Sequence, residues 1–334
     1  MHSHQISKII LTLLLPALVS LTEAELVYSE DSVFQEAALL PKTETGATRF
    51  LKEHPEFDGR GIIVAIFDTG VDPGAVGLSE TSDGKPKIID IIDATGSGDI
   101  TMSAHVEAQE GVLTGHSGRS LKLDKKWKNP TGKYRLGMKA AYDIYPGDLV
   151  QRMKAERTKA WKTQQQKREA KLLSELNSTN EEVSKKERQA SLDLLRTALK
   201  QYDDPGPVYD CVTFHDGKSW QAVVDTDSDG DLADEKLLTD YRDKHQYATF
   251  DDASRLNFSV NIYDEGKLLS LVVVSGEHGT HVSGIVAANF PDRPLRNGLA
   301  PGVQLVSVKI GDTRLGGMET GAALVRGLKR VADM

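Results

Sequence analysis

Cysteine is almost missing from this sequence. Cys211 is the only one in 334 residues, so no intrachain disulfide can form. Its setting, Val208-Tyr209-Asp210-Cys211-Val212-Thr213-Phe214, is a strand pattern that reads as a buried structural thiol rather than a nucleophile. A basic excess is missing too. Lys and Arg number 41 against 49 Asp and Glu, a net charge of −8, which argues against a nucleic-acid surface. Internal repeats are absent, which excludes a solenoid or propeller. The apolar run at residues 9–21 is too short for a comfortable membrane span.

What is present suits a packed protein. Hydrophobic residues make up 39% and charged residues 27%, enough for a core and too apolar for global disorder. The length allows one large domain or two ordinary ones. At the start, Lys8, the apolar run and Thr22-Glu23-Ala24 have the layout of a secretory signal. The alternative is an apolar leader ahead of a cytosolic protein.

Two distant stretches organise the rest. In the first, the β-branched run Ile62-Ile63-Val64-Ala65-Ile66-Phe67 ends in Asp68 and turns on Gly70. A continuous apolar run bounded by glycine suits a strand buried on both faces of a parallel sheet. Catalytic groups in such sheets sit at the carboxyl ends of strands. In the second, Gly276-Glu277-His278-Gly279-Thr280-His281-Val282-Ser283-Gly284 opens an apolar helix. A histidine at a helix start and an aspartate at a strand end supply a general base and its orienting carboxylate. Taken alone, Asp68 also reads as a turn aspartate.

The intervening chain divides by composition. A helix is expected over 48–53 and a strand over 87–92. Residues 122–133 are basic and read as a surface loop. Residues 149–176 and the stretch from about 181 to 202 read as a charged helical hairpin, the second helix striped by Leu192, Leu195, Leu199 and Tyr202. Ser178 with Glu181, or Thr179 with Glu182, would make a capping box. β-Hairpins are expected at 208–224 and 258–274, then a strand at 303–310. A helix opening at Met318-Glu319-Thr320-Gly321 follows, with Leu324, Leu328 and Val331 on one face. Strand, helix, strand, helix is a βαβ order and implies a parallel sheet.

Two metal readings are weighed. His278 and His281 stand three apart, whereas zinc-binding helices of the His-Glu-x-x-His type space them by four with Glu between, so no metal site is assigned there. Asp225, Asp227 and Asp229 begin like a calcium loop, but position twelve is Lys236 and Glu235 comes one residue early. A polar turn is the better reading. Asn177-Ser178-Thr179 and Asn257-Phe258-Ser259 are glycosylation sequons, relevant only in a secreted chain.

Asp68-Thr69-Gly70 after a buried strand, together with His278-Gly279-Thr280-His281-Val282 on a helix, resembles the subtilisin-like serine proteases (subtilases). The Asp-Thr-Gly-Val-Asp-Pro stretch at 68–73, the long insertion and Met318-Glu319-Thr320-Gly321 resemble its tripeptide-releasing exopeptidase branch. The resemblance runs from about residue 40 to 334. It implies an α/β fold, a subtilisin-like parallel sheet with flanking helices, incomplete here and interrupted by an inserted α+β module. By composition a leader at 1–24, which lies outside the resemblance, and an extension at 25–54 precede catalytic-domain segments at 55–100 and 256–334, with the insertion at 101–255 between them. The resemblance implies that Asp68 orients His278, that His278 is the base, and that Glu319 holds the substrate's free N-terminus. A first-turn helix glutamate favoured by the dipole is the plain alternative for Glu319. No cofactor is implied. The partners implied are peptide substrates and further copies of the chain, in the cytoplasm. The family's Gly-Thr-Ser-Met-Ala nucleophile stretch is absent, so the chain reads as the N-terminal portion of a longer protease, inactive alone. The competing reading is a non-catalytic form that binds peptides or partner subunits.

Overall fold

The computed structural model describes residues 40–178 and 182–334. The 1–24 leader, residues 25–39 of the extension, and part of the capping box at 178–182 lie outside the described residues. A short helix, Ala47–Glu53, precedes the core. β1 (Ile63–Asp68) and β2 (Ile88–Asp93) are the first core strands, each closing on an aspartate, β2 with a second aspartate, Asp90, buried in its middle.

The chain then leaves the core. Along this excursion come β3 (Asp99–Thr101), β4 (Lys133–Ala140), α1 (Gly147–Ser178), α2 (Glu182–Gln201), β5 (Val208–His215), β6 (Trp220–Val224), β7 (Asn257–Tyr263) and β8 (Leu268–Val272). β4, β5 and β6 form antiparallel pairs, and Val106–Glu107 adds to the far edge of β4. The 208–224 hairpin is the one read from sequence, whereas β4 has no clean alternation and is not. α1 and α2 pack together, with Trp161 stacked on Tyr202 at a ring separation of 3.8 Å. Only Leu192 of the expected stripe is buried. At the base of the pair, buried Asp204 accepts from Tyr142 Oη (2.6 Å), Tyr202 Oη (2.9 Å) and Arg157 Nε (3.0 Å).

β7 and β8 form the second hairpin. Ala248–Thr249 pairs with β7, and β3 pairs with β8. These pairings cross position 255/256, where composition suggested a boundary. Side chains from both sides of it share one cluster that includes Ile100, Tyr145, Tyr209, Phe250, Phe258 and Leu271.

α3 (His278–Ala287), β9 (Gln304–Lys309) and α4 (Gly321–Ala332) return the chain to the core. β9 lies between β1 and β2, and all three strands are parallel. The register sets Asp68, Lys309 and Asp93 side by side at the carboxyl ends. On one face Ile66, Ile91 and Leu305 pack with Ala287 of α3. On the other Ile92, Val306 and Val308 pack with Ala323 of α4. The fold is α/β, a parallel sheet with flanking helices interrupted by an α+β excursion.

α4 corrects part of one expectation. Of the expected apolar face Val331 packs against the sheet, but Leu324 and Leu328 are exposed (41% and 51%), and Ala323 and Gly327 face the sheet instead. A Cβ on Gly327 would stand 2.7 Å from Val308 Cγ1 and 3.0 Å from Phe67 Cε1. At Gly327 the helix lies so close to β1 and β9 that no side chain fits between. Among the described residues no helix is long and apolar enough to cross a membrane.

Candidate active site

The site forms where β1 ends and α3 begins. Gly70, at φ 95°, turns the chain after Asp68, a conformation that favours glycine. Thr69 then fastens the two elements. Its Oγ1 donates to Gly276 O (3.0 Å) and accepts from Gly279 N (2.9 Å), and its carbonyl accepts from Ser275 N (2.8 Å). Asp72 N donates to Thr280 Oγ1 (3.0 Å), and Val71 N to buried Ser307 Oγ (2.9 Å). Gly279 is at the closest approach. A Cβ there would lie 2.4 Å from Gly70 O and 3.2 Å from Asp68 Cβ.

This contact brings Asp68 and His278 together across 210 positions of sequence. His278 Nδ1 stands 2.8 Å from Asp68 Oδ2 and 3.0 Å from Oδ1. An ionised carboxylate only accepts, so Nδ1 carries the proton and Nε2 keeps its lone pair. Thr69 N donates to Asp68 Oδ1 (2.6 Å) and fixes the carboxylate plane. The Asp68 side chain is 15% exposed and that of His278 is 70% exposed. The orienter is shielded and the base faces outward. Among the described residues nothing hydrogen-bonds to His278 Nε2. Ser275 Oγ points to Thr69 O (3.3 Å), Ser283 Oγ donates to Gly279 O (2.7 Å), and Ser307 Oγ is committed to Val71 N. The arrangement can accept a proton from a hydroxyl supplied at Nε2.

Glu319 is exposed and lies on a two-stranded ribbon, Gly311–Asp312 against Met318–Glu319, with Gly311 opposite Glu319. This corrects the helix-start reading. Thr320 is the N-cap, its Oγ1 accepting from Ala323 N (3.1 Å), and α4 has no acidic residue in its first turn. The dipole does not account for Glu319. The ribbon touches the segment that leads into α3, since a Cβ on Gly311 would lie 2.8 Å from Ser275 Oγ.

The remaining candidates fall elsewhere. His281 is exposed one turn along α3, beside an apolar hollow of about 420 Å³ lined by Val76, Ile285 and Phe290. Cys211 is buried in β5, and burial pushes its thiol well above the ordinary range, so it is not a nucleophile. Asn257 is engaged, donating to Asp72 Oδ1 (2.8 Å) and accepting from Thr249 Oγ1 (2.6 Å). In the acidic loop, Asp225 and Asp227 meet Glu235, and Asp227 and Asp229 meet Asp234, close enough to face a cation. Asp225 and Glu235 already have partners. Asp225 pairs with Arg119 (3.4 Å), Glu235 accepts from Thr226 Oγ1 (2.7 Å), and Lys236 Nζ turns away to Tyr247 O (2.6 Å).

Comparison with known proteins agrees with this geometry. The Subtilase family profile matches residues 59–332. Tripeptidyl-peptidase 2 of Arabidopsis thaliana is 46% identical over 309 residues, covering 87% of this chain and 22% of that protein. Tripeptidyl-peptidase 2 of Caenorhabditis elegans is 38% identical over 312 residues, covering 90% and 23%. A crystal structure of tripeptidyl peptidase 2 (TPP II) superposes with a TM-score of 0.70 at 32% identity, over 87% of this chain and 23% of that one. The chain thus spans less than a quarter of the length of these relatives.

Proposed function

The chain belongs to the subtilase family, and from that premise we propose that it is the amino-terminal portion of a serine exopeptidase that removes tripeptides from free N-termini. The observation that carries this reading is the 2.8 Å contact of His278 Nδ1 with Asp68, with Nε2 unengaged on an exposed ring face. In this reading a serine from the rest of the protein stands at Nε2. His278 takes its proton as the serine attacks the scissile carbonyl, and later gives a proton to the leaving amine. Asp68 holds the tautomer and stabilises the imidazolium. In the same reading Glu319, exposed on the ribbon that touches the segment leading into α3, pairs with the substrate's terminal ammonium, a charge-assisted contact that fixes the distance from the N-terminus to the cleaved bond.

Residues 55–100 and 256–334 carry the catalytic part in this reading, and 101–255 are an insertion in it. The partners are peptide substrates and further copies of the protein, in the cytoplasm. Family likeness supports these assignments.

The test compares a free-amine tripeptide-amide reporter with its N-acetylated form. The complete protein releases the tripeptide from the first only. Glu319→Gln lowers kcat/KM for the free amine by about ten- to a hundredfold, the worth of a hydrogen bond to a charged group. Equal turnover of both reporters by the unaltered protein would reject the reading.

A further inference from the structure

Lys309 is a buried charged residue at the carboxyl end of the central strand, and the site described above makes no use of it. It is 1% exposed and lies in register between Asp68 on β1 and Asp93 on β2. Its Nζ donates to Ser97 Oγ (2.8 Å) and Thr313 Oγ1 (3.0 Å) and stands 3.5 Å from Asp93 Oδ2. Asp93 in turn accepts from Thr95 N (2.8 Å), Thr95 Oγ1 (2.6 Å), Ser97 Oγ (2.9 Å) and Gly98 N (3.0 Å). The ammonium therefore joins the loop after β2 to the segment after β9.

That segment is the ribbon of Glu319, with Thr313 at its tip. A second tie lies beside the first. Arg314 is forked onto Asp312 (3.0 and 2.7 Å), and its Nη2 also reaches Thr95 O (3.1 Å) in the same loop. Arg326 of α4 holds that loop from the other side through Ala94 O (2.7 Å) and Thr95 O (3.0 Å). Burying an ammonium costs several kcal/mol before its partners offset it. An apolar side chain of similar length would fill the space without that cost. It could not aim N–H donors at two loops. Burial pushes the Lys309 ammonium below the ordinary lysine range, and Asp93 opposes this.

We propose that Lys309 is a positioning residue for substrate binding: it ties Thr313 to Asp93 and Ser97 and so holds the Glu319 ribbon at a fixed place against the segment that leads into α3. This rests on the reading that Glu319 takes the substrate's ammonium. A ribbon that loses this tie keeps only the Arg314 contact with Thr95 O across to that loop, and the ammonium pocket is less firmly preformed, while the Asp68–His278 pair on the other side of β9 keeps its own clasp. The loss then falls on KM for free-amine substrates and spares kcat.

The experiment uses the complete protein and the two reporters, with Lys309→Met, Glu319→Gln and the double variant. Lys309→Met is expected to raise KM for the free-amine reporter about tenfold, with kcat within about threefold. In the Glu319→Gln background the same change is expected to shift KM by less than about twofold, because the two act through one contact. Thr313→Val keeps the buried pair and cuts only the tie to the ribbon. It is expected to raise KM in the same direction, and it decides the matter if Lys309→Met does not fold. Multiplicative effects of Lys309→Met and Glu319→Gln would overturn the proposal, as would an unchanged KM in both Lys309→Met and Thr313→Val. If Glu319→Gln leaves the free-amine preference intact, the ammonium reading fails and this inference falls with it. If Glu319→Gln abolishes the preference while Lys309→Met and Thr313→Val are silent, only this inference fails.

Discussion

Gly279→Ala should damage the site through a single methyl group. The added Cβ would lie 2.4 Å from Gly70 O, whereas ordinary contact begins near 3.4 Å, so α3 must retreat from β1 by about 1.0 Å. Asp68 Cβ, 3.2 Å away, blocks an easy sideways escape. A retreat of that size stretches the 2.8 Å His278–Asp68 contact toward about 3.8 Å, beyond hydrogen-bond reach. Overpacking of this kind costs about 1–3 kcal/mol. A misplacement of about 1 Å at reacting groups costs on the order of 10² in rate. Gly284→Ala is the control, five residues along the same helix, because nothing lies within 4 Å of its added Cβ. There alanine should stabilise the helix by about 0.5–1 kcal/mol and leave activity alone. Thermal unfolding and tripeptide release measure both. Wild-type stability and turnover in Gly279→Ala would refute the close-approach argument, and so would equal losses in the two variants.

Two further predictions concern stability. Burial lowers the Lys87 ammonium from 10.5 to about 8, so between about pH 8 and 10.5 the unfolded chain binds more protons than the folded one. Stability should therefore rise with pH across that window, and Lys87→Met should flatten this rise in denaturant titrations at stepped pH. Asp204→Ala removes the acceptor shared by Tyr142, Tyr202 and Arg157. It should cost about 2–3 kcal/mol, seen as lost hydrogen-exchange protection in α1 and α2 with β1 and β9 unchanged.

The parts of the fold that were legible were those whose signal is local. β1, β2 and β9 are short β-branched runs between breakers, and their order with α3 and α4 gives a parallel sheet. Asp68 and His278 were legible because each ends or begins such an element in a polar, glycine-marked turn. β4 was not legible. Lys133-Tyr134-Arg135-Leu136-Gly137-Met138-Lys139-Ala140 becomes a strand through pairing with β5, some seventy residues on. α4 misled because hydrophobicity marked Leu324 and Leu328, while the close approach of Phe67 and Val308 leaves no room for a side chain at Gly327. The hairpin of β7 and β8 was legible from its local alternation, whereas its edge partner β3, from the other end of the insertion, was not. Thr69, Thr280 and Ser307 were passed over although each carries a clasp of the site. Lys309 left one visible trace, a lysine inside the apolar run Val306-Ser307-Val308-Lys309-Ile310.

The most direct test of the account is the rate and location of fluorophosphonate labelling in the complete protein. If Asp68 and His278 activate a serine, the probe labels one serine outside these 334 residues. Labelling and tripeptide release should both fall on His278→Ala by about 10⁶-fold, the loss that follows removal of the base from such a triad. The 334-residue chain alone should not be labelled. Label on a serine within the 334 residues, or undiminished labelling in His278→Ala, would contradict the account.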